Sequence, residues 1–549
     1  MVARPRRWSS LALPAAMALV AFEARAPTLP VGPFHVTVLE GVALLAAGTL
    51  ALGARTRLRS WRPPPPLVLL ALFAAVELVS AAASDDRGGA LKFALRMAFM
   101  AVFAAAVSLA GPEERRRALL ALAVGGAVAA GLAVAEGVGL RALDPLLSAF
   151  REMPFNVAGV RRATAGSEYP NLGAACIAYG LLAAVAVAAA RQWGARTALV
   201  AVPFSVGLLY TYSRGALAAL AVGLIAAAVA GGARRVRMAP LVALGVLALT
   251  AAAFLAGREV FQLRLASEGV ERWYGARYEP AEGALSLAPG AAAVTAVKVT
   301  NTGRKAWTDE GQFHLSYHWY DVERRVAMDG GRTRLPRTLV PGDSAVLTAE
   351  VRAPGRPGAY LLLWDMVQEH TSWFSGQGVR PAVVRVSVGA VPVAPTAMRA
   401  AMPDTSGLAW RPGRGELWAL AAAMWRAHPV LGVGPDRFRH LYGPWAGRAW
   451  WDDRVYANNL LLELAATVGT AGAALLAAAA AAAAVGAWRA RRDAGAAMET
   501  IAVLSLLAFV AAHGLVDYVL AFTGHYLVLA FAVGAASALG GASGAGLRA

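Results

Sequence analysis

The stretch LALTAAAFLAGREVFQLRLASEGVERWYGARYEP, residues 247–280, is where this chain changes character. Up to Ala256 one apolar helical run follows another. Beyond it lie about two hundred mostly polar, partly strand-like residues, and apolar runs resume at Leu460. That interruption reads as a polytopic α-helical membrane protein carrying one large soluble insertion late in the chain. Charged residues at the edges of the insertion are the first candidates for chemistry.

Composition points the same way. The chain has 549 residues, of which 58% are hydrophobic and 16% charged, with a mean hydropathy of +0.51. Soluble domains carry about a quarter charged residues. Apolar runs near 10–22, 36–52, 67–83, 90–110, 118–136, 174–190, 197–212, 214–230, 239–256, 459–487, 499–515 and 525–540 have about the length needed to cross a bilayer. They predict about twelve transmembrane helices. The opening residues also fit a cleaved leader, with an Arg-rich start and Ala24-Arg25-Ala26 after the apolar run; a first helix is the reading adopted.

A net charge of +18 would suggest nucleic acid in a soluble protein. Here the arginines follow the membrane instead. With the N-terminus cytoplasmic and the spans alternating, Arg4, Arg6 and Arg7, the cluster Arg55 to Arg62, Arg115 to Arg117, Arg191 and Arg196, Arg234 to Arg237, Arg489 to Arg492 and Arg548 all fall inside. Short inner loops rich in Arg are the positive-inside pattern. Asp85 and Asp86 fall outside, as does the insertion; Arg25 and Arg87 are exceptions. The expected location is the cytoplasmic membrane, with both termini inside and the large loop extracytoplasmic. The partner is membrane lipid and not nucleic acid. The single cysteine, Cys176, allows no internal disulfide, and no Cys/His cluster suggests a metal.

The expected divisions are transmembrane helices over 1–256, a charged connector over 257–282, an all-β unit over 283–390, an amphipathic-helix loop over 391–457 and further transmembrane helices over 458–549. Alternating runs at Ala293–Val299, Phe313–Tyr320, Ala345–Val351, Ala359–Asp365 and Val383–Val388 predict strands of an antiparallel sandwich. Asn301-Thr302-Gly303, Asp329-Gly330-Gly331, Pro341-Gly342-Asp343 and Pro354-Gly355 are read as turns. Trp319, Tyr320, Trp364 and Trp373 suit either a sugar-stacking face or a core without disulfides. His314, His318 and His370 are read as surface or core residues.

Polar groups at the outer ends of spans mark four candidate sites, because charge near lipid is costly. Tyr212, Ser213 and Arg214 lie at a junction where a helix begins, so hydroxyls, a guanidinium and free backbone N–H groups would meet an anion. Arg161, Arg162 and Asn171 flank a loop entering the next span. Arg414 opens a helical stretch whose apolar spacing, Leu417 to Trp425, predicts an amphipathic helix at the membrane surface; His428 opens the Gly-rich turn after it. Asn458 stands at re-entry into the membrane, and His513 and Asp517 are four apart, on one helical face if the helix continues. Each also has a plainer reading as a topological arginine, solvated loop or helix end.

At these residues the chain resembles the O-antigen ligase and polymerase family of membrane glycosyltransferases. The matching segments are GSEYPNLGAA, SRGALAALAVGL, RGELW with HPVLGVGPDRF, NNLLLELAATVGTAG and HGLVDYVLAF. They run in the family's order across most of the membrane portion. The segments VTNTGRKAW, LSYHWYD and LVPGDSAVLTAEVRAPGRPGAY resemble immunoglobulin-like modules attached to bacterial cell-surface glycan enzymes, outside the family core.

The resemblance implies transfer of a glycan from an undecaprenyl-diphosphate carrier to a lipid, protein or glycan acceptor at the outer face of the membrane. No metal, nucleotide or other cofactor is implied. Arg214 and Arg414 look like the diphosphate-binding arginines, with Arg161 or Arg162, Tyr212 and Ser213 assisting. One departure matters. Ligase members carry His before the Asn at the re-entry helix, as base or acceptor-orienting group, and here that position is Asn458. An amide has no group that titrates near neutral pH. His440, Asp452, Asp453 and His428 are the nearby replacements. A polymerase that joins repeat units, a transporter and a non-catalytic scaffold remain the competing readings.

Overall fold

The computed structural model describes residues 11–545 except 32–33, 59–60, 153, 158–159, 259, 263–272, 309–311, 322–325, 370–371, 376–377, 390–411 and 449–450. Glu259 and residues 263–272 of the expected connector, His370 and the start of the expected 391–457 loop lie outside the described residues.

The apolar runs form helices: α1 (Ala12–Leu19), α2 (Val38–Gly53), α3 (Pro65–Ala83), α4 (Arg87–Leu109), α5 (Pro112–Gly137), α6 (Pro170–Ala190), α7 (Thr197–Tyr210), α8 (Arg214–Ala230) and α9 (Arg234–Gly257). After the β unit come α10 (Arg414–Ala427), α11 (Phe438–Trp445), α12 (Leu460–Ala490), α13 (Ala497–Gly514) and α14 (Thr523–Ala545). Among the described residues eight helices are long and apolar enough to cross a membrane: α3, α4, α5, α6, α9, α12, α13 and α14. The other four of the expected dozen are shorter. Helix α7 has 14 residues, about 21 Å at 1.5 Å per residue, against a hydrocarbon core of about 30 Å; α1 has 8.

Their ends are set by local chemistry. Thr37 caps α2 reciprocally with Glu40, and Pro occupies the first turn of α3, α5 and α6, where a missing N–H costs nothing. Helix α6 is buried on almost every side by its neighbours, which is why its sequence is apolar all round rather than striped.

Helix α12 is broken. Gly469 has φ 72° and ψ −175° inside it, and the turn 429–434 plugs the break. The Pro429 carbonyl accepts from Thr470 N–H at 2.9 Å, while Val433 and Gly434 N–H donate to the Ala466 and Thr467 carbonyls at 2.9 Å. Ser80 Oγ donates to the Leu431 carbonyl at 2.6 Å. A Cβ on Gly469 would lie 2.1 Å from the Val430 carbonyl oxygen. The HPVLGVGP run is therefore a plug that satisfies a broken ladder.

The β unit has two sheets around one core. One is antiparallel, in the order β8 (Ser344–Arg352), β5 (Ala292–Asn301), β3 (Ala276–Pro280). The other runs β4 (Ala284–Leu287), β11 (Ala382–Val388), β9 (Gly358–Gln368), β6 (Phe313–Asp321), β7 (Val326–Arg334), with β10 (Ser372–Trp373) beside β9; only β4 and β11 pair in parallel. Side chains from both sheets fill the core, with Trp273, Trp307 and Trp364 fully buried.

Two expectations are corrected here, and one open alternative is decided. Strand β3 begins at Ala276, inside the connector expected at 257–282, because its alternation is hidden among charged residues. Asp329-Gly330-Gly331 lies inside β7 and is not a turn; Gly330 is needed because the Tyr317 ring covers it, 2.1 Å from where a Cβ would stand. Trp319 and Trp364 are core residues, exposed by 4% and 1%. Trp373 packs on the His318 ring at 4.1 Å with Arg332 above it.

Candidate functional site

Four segments far apart in sequence meet at the ends of α6, α7, α8 and α13. The hairpin of β1 (Phe155–Val157) and β2 (Val160–Arg162) is tied to the α7–α8 turn. There Ala163 N–H donates to the Tyr210 carbonyl at 3.0 Å, and Arg162 Nε donates to the Thr211 carbonyl at 2.9 Å. Arg162 Nη2 donates to Asn171 Oδ1 at 3.0 Å, and Asn171 Nδ2 donates to Asp517 Oδ2 at 3.0 Å. His513 Nε2 stands 3.9 Å from the same oxygen, beyond hydrogen-bond length. Helix α13 stops at Gly514, so the His513–Asp517 approach is made by a turn and not along one helical face.

Arg214 is the first residue of α8 and Arg414 the first of α10. The two guanidiniums lie within Coulomb range of one another, and Arg414 also acts on His513. Gly215 abuts the end of α13: a Cβ there would come 2.8 Å from Val516 Cγ2 and 3.8 Å from His513 Nε2. His513 is 1% exposed, stacks on Phe509 and has an Nδ1 without a hydrogen-bond partner among the described residues. An unpartnered buried nitrogen beside two cations is an unfinished polar site.

Other candidates are not brought to this chain. Arg161 forks onto Asp144 at 2.6 and 3.2 Å, and that guanidinium holds the Asp144 carboxyl below its usual range. Tyr212 has φ 52° and is buried with Leu209 and Phe261, with the Arg258 guanidinium within Coulomb range of it. Ser213 precedes α8 without capping it through its side chain; its N–H donates to Thr211 Oγ1 at 3.2 Å. His428 ends α10, exposed, and its carbonyl accepts from Gly432 N–H.

At the re-entry it is Asn459 that works structurally: Oδ1 caps α12 through Leu462 N–H at 3.0 Å, and Nδ2 donates to the Leu515 carbonyl at 3.0 Å. Asn458 takes φ 52°, a conformation Asn tolerates better than most residues. Its neighbour Ala457 N–H donates to the buried carboxylate of Glu463 at 2.7 Å.

His440 belongs to a second centre. A hollow of about 260 Å³ is lined by Lys92 and Arg96 of α4 and by Asp436, Arg437, Arg439, His440 and Tyr456. Arg439 grips Asp436 with two hydrogen bonds of 2.9 and 2.8 Å. Arg437 Nη1 donates to Asp86 Oδ2 at 3.2 Å, and Arg96 Nε to Glu40 Oε1 at 2.9 Å. His440 Nδ1 lies 3.9 Å from Asp453 Oδ2. Burial first, then the Arg439 charge, hold the His440 pKa below its ordinary value, leaving a neutral imidazole at pH 7. By contrast, the hollow beside Arg214 measures about 10 Å³, enough for about one water.

Sequence reading missed the Arg437–Asp86 and Arg439–Asp436 pairs. The signal available was the charge density of GPDRFRH after an apolar turn. Among the described residues no group of three or more His, Cys, Asp or Glu is placed to hold a metal ion. Compared with known proteins, the chain matches no family model and no curated sequence.

Proposed function

We propose that this protein is a membrane glycosyltransferase of the O-antigen ligase kind. It would move a glycan from an undecaprenyl-diphosphate carrier to an acceptor hydroxyl at the outer face of the cytoplasmic membrane. The observation that carries the reading is the meeting of Arg214 and Arg414, each at a helix N-terminus, beside the chain Arg162–Asn171–Asp517 and His513.

In that reaction the acceptor oxygen attacks the anomeric carbon. The bond from that carbon to the diphosphate oxygen breaks, and the polyprenyl diphosphate leaves with the electron pair. Two fixed guanidiniums suit the charge that grows on the leaving group, since arginine stays charged and binds phosphate through paired N–H groups. The hydroxyl proton passes to His513, a buried imidazole within Coulomb range of Arg414 whose Nδ1 has no partner among the described residues. Asp517 steadies the imidazolium formed. His440 and Asn458 are not needed for this step.

The topology that fits is about twelve spans with both termini inside. The β unit, immunoglobulin-like in this reading, and the 414–457 segment lie outside. The family likeness and the arginine-rich short loops support it.

The test is the glycan profile of a deletion strain, with carrier-linked and acceptor-linked material resolved by mass spectrometry. Long polymer stranded on the carrier supports ligation. Single repeat units would indicate the polymerase alternative, which Asn in place of His at 458 favours. An unchanged profile would sink both.

A further inference from the structure

The hollow beside α4 has chemistry that the transfer step does not use. Its guanidiniums each have a carboxylate: Arg437 has Asp86, Arg439 both oxygens of Asp436, and Arg96 has Glu40, although Arg437 Nε is buried without a hydrogen-bond partner among the described residues. Among the four cations that line the hollow, Lys92 is the one left without an ion pair among the described residues. His440 adds no charge at neutral pH. One uncompensated cation suits a monoanion; a diphosphate, with at least two charges, does not balance it. A lysine that merely snorkels sends its ammonium into open water, whereas Lys92 is half-buried and lines this hollow.

Size and walls narrow the ligand further. About 260 Å³ is many times the roughly 10–15 Å³ that admits one water, so the space has room for an organic ring. Tyr456 and Phe93 supply apolar wall, and the lone pairs of Asp86 and Asp436 can accept from hydroxyls. A second hollow of about 250 Å³, lined by Glu23, Ser167 and Glu168, shares Arg96 and Ala521 with the first, so a neighbouring ring has somewhere to go.

We propose that this hollow binds a carboxylated sugar, a hexuronate unit of the glycan or of its acceptor, with Lys92 meeting the carboxylate. The proposal rests on the glycosyl-transfer reading and names the class of sugar that reading leaves open.

The experiment is direct binding to the purified full chain in lipid nanodiscs. The probes are a uronic-acid disaccharide, its neutral hexose counterpart and inorganic phosphate. The uronate is expected to bind at least tenfold more tightly than the neutral sugar. Lys92→Gln should cost about tenfold or more, the worth of one charge-assisted hydrogen bond, while Lys92→Arg keeps most of the affinity and shows that the fold survives. Equal binding of the neutral sugar, phosphate binding as well as the uronate, or no change in Lys92→Gln would each overturn the proposal.

Failure here is separable from failure of the transferase reading. Uronate binding should persist in Arg214→Ala, which lies outside the hollow. Altered glycans in the deletion strain without uronate binding would remove only this inference. Uronate binding with an unchanged glycan profile would remove the transferase reading and leave a uronate site.

Discussion

Two arginines from segments two hundred residues apart stand at neighbouring helix starts, and that pairing makes a sharp kinetic expectation. If both hold one diphosphate, Arg214→Ala and Arg414→Ala should each lower transfer about 10²–10³-fold, the usual cost of a lost transition-state donor. The double variant should fall short of the product of the single losses, because groups acting as a unit are not additive. Losses that multiply fully would place the two on separate tasks. His440 allows a second test. Its folded pKa is depressed, so the folded protein binds fewer protons than the unfolded chain below about pH 6.5. The contribution to stability is present above the unfolded pKa and is lost as pH falls through the folded one. His440→Gln should therefore flatten the fall of Tm between pH 7 and 5; the same slope in both proteins would contradict it. At this scale the sequence was legible where a charge sat in apolar surroundings. Arg214 and the pair Arg161 and Arg162 stood out as arginines on the outer side, and Arg414 through the family likeness. The sorting of Arg162 from Arg161 was not legible, since it depends on Asp144 being folded back onto one of them.

Elements that alternate or run apolar could be read directly, and elements built by exceptions could not. Strands β5, β6, β8 and β11 follow the two-residue period of a half-buried strand, while β9 is buried on both faces and reads as an apolar run. Strand β7 was hidden because Gly330 makes room for the Tyr317 ring, and glycine normally marks a turn. The break in α12 was equally hidden, because the bonds that replace its ladder come from the turn 429–434. That arrangement can be tested by substitution. Gly469→Ala puts a Cβ 2.1 Å from the Val430 oxygen and forces an alanine to φ 72°. Strain of about 1–3 kcal/mol adds to the displaced plug, so Tm in detergent should drop by several degrees. Gly245→Ala in α9, where a new Cβ meets nothing within 4 Å, should leave Tm unchanged or raise it, by about 0.5–1 kcal/mol of helix propensity. Equal effects at both positions would mean that the break and its plug are not what holds this end of α12.

For the whole molecule, the question is which way the bundle faces, and the arginines argue it. Every short loop assigned to the inside is Arg-rich, while Asp85 and Asp86 fall on the other side with the β unit. The functional reading depends on this orientation, since the carrier-linked glycan is met outside. Cys176 is the only cysteine and is buried in α6, so Cys176→Ala gives a background for single reporters with little cost in packing. Thr56 and Ser286 are exposed, and so is Asp85 beside the start of α4. In intact cells a membrane-impermeant thiol reagent should label Asp85→Cys and Ser286→Cys but reach Thr56→Cys only after the membrane is opened. Asp85 is the decisive position. It sits one residue from the carboxylate that pairs with Arg437, so labelling there places the Lys92 hollow on the same face as the β unit. Labelling of Thr56→Cys alone would invert the molecule and put both polar centres inside. A carrier-linked glycan presented at the outer face would then reach neither of them, and the transferase reading would fail on geometry before any assay of transfer.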